Sequence, residues 1–76
     1  MIDYQSIGQR IRFARKAAKL TQEQLAELTD LCTAYIGHIE RGTRKLSVET
    51  LCKLCDVLGL SADHLLGRKY KDSPSE

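Results

Sequence analysis

The stretch from residue 22 to residue 42 constrains the fold of this chain most, because its apolar residues recur at helical spacing in two short runs. The apolar positions of the two runs are Leu25, Ala26 and Leu28, and then Ile36 and Ile39. Asp30 lies between the runs, where a tight turn is needed. Two short helices joined by a turn form a helix-turn-helix arrangement, whose second helix fits the major groove of DNA. The spacing therefore predicts two packed helices, the second of which is a candidate DNA-binding element.

Length and composition favour one small intracellular domain. A chain of 76 residues buries only about 60% of the surface that is exposed when it is unfolded. We therefore expect its stability to be marginal without a partner. There is no apolar run of membrane-spanning length and no signal-peptide pattern, so we expect a soluble, cytoplasmic protein with no membrane partner. Three cysteines, an odd number, indicate free thiols in a reducing compartment.

The basic residues are clustered, although the net charge is only +2. The first cluster lies in the first predicted helix and the second in one loop: Arg10, Arg12, Arg15, Lys16 and Lys19, and then Arg41, Arg44 and Lys45. A local basic surface can bind phosphates even when the whole chain is nearly neutral. The alternative is an ordinary charged face in contact with solvent.

Five helices account for the rest of the pattern, and no strand pattern competes with them. The predicted helices cover about residues 6–18, 21–29, 32–42, 47–59 and 61–66. Thr21 and Gln24 match a capping box at the start of the second helix. The inward positions of the first and fourth helices are Ile7, Ile11, Ala14 and Ala18, and Val48, Leu51, Leu54, Cys55 and Leu58. We expect a compact all-α five-helix domain over residues 1–67 and a flexible C-terminal tail over 68–76.

A set of short segments spread over most of the chain occurs in one register without a gap. They are Ile7-Gly8, Ile11, Arg15, Leu20-Thr21-Gln22, Leu25-Ala26-Glu27, Ile36, Ile39-Glu40-Arg41-Gly42, Arg44, Ser47, Thr50-Leu51, Leu54, Leu58-Gly59-Leu60-Ser61 and His64-Leu65-Leu66-Gly67. In these segments the chain resembles the Cro/phage-repressor (XRE-like) type of helix-turn-helix transcriptional regulators. The resemblance implies a repressor/Cro-like bundle and sequence-specific binding of double-stranded DNA at a palindromic operator. Asp30, Cys32 and Ile39 depart from the family pattern, which leaves the target sequence open.

One face of the third helix is small and polar. Projected at 100° per residue, one sector contains Thr33, Ala34, Gly37, His38 and Arg41. Small side chains let a helix lie deep in a groove while a few polar groups reach base edges. Thr33 is alternatively only the N-cap, and Gly37 alternatively serves close packing within the domain. Tyr35, at the edge of the sector, either packs against the domain or donates its hydroxyl to a phosphate.

The resemblance also implies roles for individual residues. It gives Gln22 a phosphate contact and a part in bracing the third helix, and it places His38 at a base-contact position. The loop that follows the third helix corresponds to a phosphate clamp formed by Thr43, Arg44 and Lys45. Arg15 and Glu40 match a buried ion pair, which makes Arg15 structural. An alternative role for Gln22 is that of an ordinary first-turn residue.

Cys52 and Cys55 form a C-x-x-C pattern on the fourth helix. Zinc would need two more ligands, and the candidates Cys32, His38 and His64 supply no matching second pair. We therefore expect no metal and no cofactor, and we expect core packing for Cys55, with redox sensing as the alternative. No catalytic arrangement is apparent, so the chain is expected not to be an enzyme and to have no small-molecule substrate.

The leucines after the fourth helix predict a homodimer. Leu60, Leu65 and Leu66 surround a short fifth helix that cannot bury all of them, and Ile2 and Tyr4 could extend the contact. Alternatively, these leucines only close the core of the monomer. Three other functions stay open from the sequence: an antitoxin-type protein-interaction module, a thiol-based sensor, and a restriction–modification controller protein.

Overall fold

The computed structural model describes residues 3–61, and four α-helices occupy this part of the chain. The helices are α1 (Tyr4–Ala17), α2 (Gln22–Thr29), α3 (Thr33–Arg41) and α4 (Val48–Leu58). The predicted all-α class is confirmed. Five helices were predicted, but the fifth and the tail at 68–76 lie outside the described residues. Within residues 3–61, none of the helices is both long and apolar enough to cross a membrane.

The first helix begins two residues earlier than predicted, because Asp3 caps it. The Asp3 carboxylate accepts hydrogen bonds from the N–H groups of Gln5 and Ser6 at 3.1 and 3.2 Å. The hydroxyl of Ser6 also donates to Asp3, at 2.9 Å. These bonds hold the pKa of the Asp3 carboxyl below its usual value, because they stabilise the charged form. The bond from the Ser6 hydroxyl has the largest effect.

The second helix begins and ends as its sequence predicts. The hydroxyl of Thr21 accepts the N–H of Gln24 at 3.0 Å, and Gln24 Oε1 accepts the N–H of Thr21 at 2.8 Å. This is the predicted capping box. Asp30 ends the helix in the left-handed region, with φ of 59°. Aspartate tolerates that region better than most residues other than glycine, so the predicted turn forms without glycine.

Glycine is required at the end of α3. Gly42 lies in the left-handed region at φ 74°, and a Cβ added there would lie 2.6 Å from the Cα of Gln5. Both the backbone conformation and the close approach of α1 therefore exclude larger residues. Ser47 caps α4 by accepting the N–H of Thr50 at 3.1 Å, as the sequence predicts.

Seven buried side chains form the core, and every helix contributes at least one. They are Ile7, Ile11, Leu25, Ala26, Ile36, Ile39 and Leu54. The helices α1 and α2 each pack against both α3 and α4. One face of α3 is therefore held against α1 and α2, and its opposite face is left to solvent.

Three apolar residues predicted to face inward are exposed. Leu28 is 59% exposed and Val48 is 77% exposed. At 100° per residue, Val48 lies about 120° from Leu54 around α4, and Leu28 lies about 100° from the buried centre of α2. Ala18 is exposed because α1 has already ended. In α2 the polar Thr29 is buried instead, and its hydroxyl donates to the Leu25 carbonyl at 2.7 Å.

Candidate nucleic-acid interface

The outer face of α3 begins at the first residues of the helix. Thr33 and Ala34 are exposed, and His38 is half-buried one turn further on. Cys32 is the N-cap of α3, and its side chain makes no capping hydrogen bond, so the N-cap alternative for Thr33 is wrong. The side chains of Thr33 and Ala34 therefore lie at the surface of the domain. Because both are small, this end of α3 could approach the floor of a groove closely.

Gly37 is buried, although it lies in the sector predicted to face outward. A Cβ added to Gly37 would lie 3.2 Å from Nη1 of Arg41, because the Arg41 guanidinium folds back over the glycine. The neighbour of Gly37 is thus the mobile end of a side chain on the same helix, so the contact does not decide between close packing and close approach of DNA.

A shallow pocket flanks α3 on the side of α1 and the start of α2. It is lined by Arg12, Gln22, Gly37, Glu40 and Arg41. Two guanidinium groups beside a helix N-terminus favour an anion such as a phosphate. Arg12 was not among the residues predicted to bind DNA, and its place in the basic cluster of α1 was the signal that pointed to it.

A buried hydrogen-bonded network connects α1, α2 and α3. Arg15 Nε donates to Glu40 Oε2 at 2.6 Å, and Arg15 Nη2 donates to Glu40 Oε1 at 3.1 Å. Gln22 Nε2 donates to the same Oε1 at 3.0 Å, and Arg15 Nη1 donates to the Leu20 carbonyl at 2.8 Å. The structure thus contains the ion pair that the resemblance implies. It also shows Gln22 bracing α3 through Glu40.

The loop after α3 is tied back to that helix at two points. The backbone N–H of Thr43 donates to the His38 carbonyl at 3.0 Å, and the Thr43 hydroxyl approaches the same oxygen at 3.2 Å. The Tyr35 hydroxyl donates to the Lys45 carbonyl at 3.3 Å. In this structure Tyr35 therefore positions the loop. The exposed Arg44 follows Thr43, so both loop cations are held close to α3.

A second groove flanks the other side of α3. Its lining combines the start of α3 with the loop: Asp30, Leu31, Cys32, Ala34, Tyr35, His38, Arg44 and Lys45. This groove and the pocket at Arg12 place cationic groups on both sides of the outer face of α3. The major groove of DNA, about 12 Å wide, is likewise bordered by a phosphate backbone on each side.

Only some residues of the predicted dimer surface lie within the described range. Leu60 is half-buried and packs against the core of its own domain, as does Tyr4. Leu65, Leu66 and Ile2 lie outside the described residues. The contacts of Leu60 fit the alternative in which it helps close the monomer.

The three thiols are free, and they differ in exposure. Cys32 and Cys52 are exposed, whereas Cys55 is half-buried and packs against the core. Burial raises the pKa of the Cys55 thiol, because it disfavours the charged thiolate. The neighbouring Cys52 and Asp56 raise this pKa further, by smaller amounts. Across residues 3–61, no three side chains of the metal-binding types gather into a ligand set.

Comparison with known proteins places this arrangement in a family. The sequence model of the helix-turn-helix family matches residues 11–65. The immunity repressor protein of Bacillus phage phi105 is 39% identical over 64 residues, which cover 84% of this chain and 44% of that protein. The chain therefore spans less than half the length of that relative.

Solved structures share the fold. The restriction-modification controller protein C.AhdI from Aeromonas hydrophila superposes with a TM-score of 0.78 at 40% identity, covering 83% of this chain and 96% of that one. The P22 c2 repressor protein, in complex with synthetic operator 9T, gives a TM-score of 0.77 at 34% identity over 82% of this chain and 94% of its own.

The comparisons confirm the predicted repressor/Cro-like fold. The chain belongs to the helix-turn-helix family.

Proposed function

We propose that this chain is a cytoplasmic regulator that binds a palindromic operator as a homodimer and represses transcription by occupying it. The observation that carries the proposal is the outer face of α3, which is small and polar and has cationic groups on both sides. Placed in the major groove, α3 would bring Thr33, Ala34 and His38 to the base edges.

Phosphate contacts would fix this position on the duplex. On one side, Gln22, Arg12 and Arg41 surround the pocket at the start of α2. On the other side, Arg44 and Lys45 extend from the loop that Tyr35 ties to α3. Contacts of this kind supply affinity and orientation without sequence information, whereas contacts to base edges supply the specificity.

Dimerisation would extend the sequence that is recognised. One helix contacts only a few base pairs, and two helices about 34 Å apart would contact half-sites one helical turn apart. Leu60 follows α4 and is only half-buried by its own core, and we propose that it pairs, together with Leu65 and Leu66, with a second copy. Leu66→Lys should then split the dimer and lower operator affinity. A parent protein that sediments as a monomer and also binds DNA as a monomer would contradict this part of the proposal.

Selection of bound sequences from a random DNA pool tests the proposal as a whole. We expect an enriched palindrome and an affinity that falls steeply with salt. His38→Ala should change the preference at one base position, by about 1–3 kcal/mol. Lys45→Ala should weaken binding to all sequences alike and reduce the salt dependence.

Lys53→Ala is the matched control, because Lys53 carries the same charge on α4 and lines neither the pocket at Arg12 nor the groove beside the loop. Its loss should leave both affinity and salt dependence near those of the parent. Failure to enrich any sequence, or equal effects of Lys45→Ala and Lys53→Ala, would mean that the outer face of α3 does not bind DNA.

A further inference from the structure

The side chain of His38 is held by one neighbour on the loop after α3. His38 Nδ1 and the hydroxyl oxygen of Thr43 lie 2.9 Å apart. The same hydroxyl donates to the His38 carbonyl at 3.2 Å. The Thr43 hydroxyl therefore contacts His38 twice, once at the ring and once at the backbone carbonyl.

Among the neutral forms of the ring, the one with its proton on Nδ1 makes both contacts hydrogen bonds. A carbonyl oxygen can only accept, so the contact at 3.2 Å is a hydrogen bond when the Thr43 hydroxyl donates its one proton there. The hydroxyl oxygen then accepts at the contact of 2.9 Å, and Nδ1 of His38 is the donor. A neutral imidazole carries one N–H, and the hydrogen bond at one ring nitrogen decides the state of the other. Nε2 is left with a free lone pair.

We propose that Thr43 fixes His38 as the Nδ1–H tautomer, so that Nε2 accepts a hydrogen bond from the exocyclic amino group of adenine or cytosine in the major groove. The proposal rests on the proposed function, since it needs α3 in that groove. In this proposal His38 determines specificity as a hydrogen-bond acceptor, and Thr43 positions its ring.

The chemistry of the base edges makes this polarity selective. In the major groove, adenine presents an N6 amino donor and cytosine an N4 amino donor. Guanine presents only the acceptors N7 and O6, and thymine presents O4 and a methyl group. A lone pair on Nε2 would therefore attract either amino group and face an acceptor lone pair on guanine or thymine, which is unfavourable.

The same bonds argue against a direct phosphate contact by Thr43. Its backbone N–H donates to the His38 carbonyl at 3.0 Å, and in the proposed arrangement its hydroxyl donates to the same oxygen, which lies 3.2 Å away. In this arrangement neither donor is available to a phosphate oxygen. Thr43 would thus act on DNA recognition through His38 rather than by touching the backbone.

Nitrogen NMR of the imidazole ring in the free full-length chain tests the tautomer without any variant. In its neutral form, we expect the His38 ring to carry its proton on Nδ1 and to have an unprotonated Nε2. Thr43→Val keeps the side-chain shape and removes the hydroxyl, so it should shift the ring towards the Nε2–H form. Thr43→Ser keeps the hydroxyl and is the matched control. A parent ring protonated on Nε2 would overturn the proposal.

Binding to a panel of operators changed at the single position that depends on His38 tests the recognition. We expect the parent to prefer adenine or cytosine there by about tenfold over guanine and thymine, and the preferred base identifies which amino group is bound. Thr43→Val should reduce this preference at least severalfold, and Thr43→Ser should retain it. Preference for guanine or thymine, or a uniform loss of affinity for all operators in Thr43→Val, would overturn the assignment.

These results are separable from failure of the proposed function. If the parent selects no DNA sequence at all, the proposed function fails, whereas the ring-nitrogen measurement still decides the tautomer. If the parent selects an operator but its preference does not respond to Thr43→Val, only the present inference fails.

Discussion

Arg15→Ala is the substitution whose effect follows most directly from the structure. The side chains of Arg15 and Glu40 are only 9% and 3% exposed, and two hydrogen bonds join them. Removing the guanidinium would leave the Glu40 carboxylate buried, with Gln22 as its remaining side-chain donor among residues 3–61. It would also remove the side-chain donor that the Leu20 carbonyl accepts.

Breaking a buried ion pair from one side costs about 3–5 kcal/mol, because the remaining charge is buried without its partner. A domain of 76 residues has a total stability of about 4–11 kcal/mol by the usual range per residue. The variant should therefore lose a large share of its stability. For a domain of this size, a loss of 3 kcal/mol lowers the melting temperature by at least about 12 °C.

Thermal and urea unfolding followed by circular dichroism measure the effect. Arg12→Ala is the matched control, because Arg12 is an exposed arginine on the same helix and should change stability by less than about 0.5 kcal/mol. Replacing both partners by apolar residues, as Arg15→Met with Glu40→Leu, should be far milder than either single change. A melting temperature of Arg15→Ala within about 4 °C of the parent would refute the argument that the pair is desolvated.

Three further predictions concern other parts of the fold. Gly8→Ala should lower the free energy of unfolding by at least about 1–3 kcal/mol, because its Cβ would overlap the Ile39 carbonyl oxygen and lie 2.7 Å from the Glu40 carbonyl oxygen. A denaturation curve equal to that of the parent would contradict this. Iodoacetamide should alkylate the exposed Cys52 before Cys55, whose pKa burial raises, and peptide mass spectrometry would show the order. The pKa of Asp3 is lowered in the fold, so Asp3 stabilises the native state above its ordinary value of 3.8 and loses this effect as the pH falls through the folded-state value. Asp3→Asn should remove that part of the acid dependence of unfolding.

The sequence alone predicted the helix ends well, because their causes are local. Thr21 and Gln24 bond to each other across three residues, and so does Ser47 with Thr50. Gly42 ends α3 because glycine adopts the left-handed backbone that the end of a helix requires. The start of α1 was misplaced, since Asp3 lies outside the apolar repeat that marked the helix.

Burial was predicted less well, because it depends on which part of an apolar face meets a neighbouring helix. Val48 and Leu28 follow helical spacing, but their directions point away from the packed faces of α4 and α2, so they are exposed. Thr29 is polar, yet it can be buried because its hydroxyl donates a hydrogen bond to the Leu25 carbonyl, one turn earlier. The spacing of apolar residues indicates which face of a helix is buried. The helices packed against that face determine where the buried region is centred and how wide it is.

The chain by itself determined the helix-turn-helix order, the polar face of α3 and the basic loop, since spacing and residue type carry that information. Only the tertiary structure decided how these parts act together. It ties Tyr35 to Lys45 and sets Thr43 against the ring of His38. Such contacts depend on where the loop returns in space, and on hydrogen bonds whose direction no residue pattern contains.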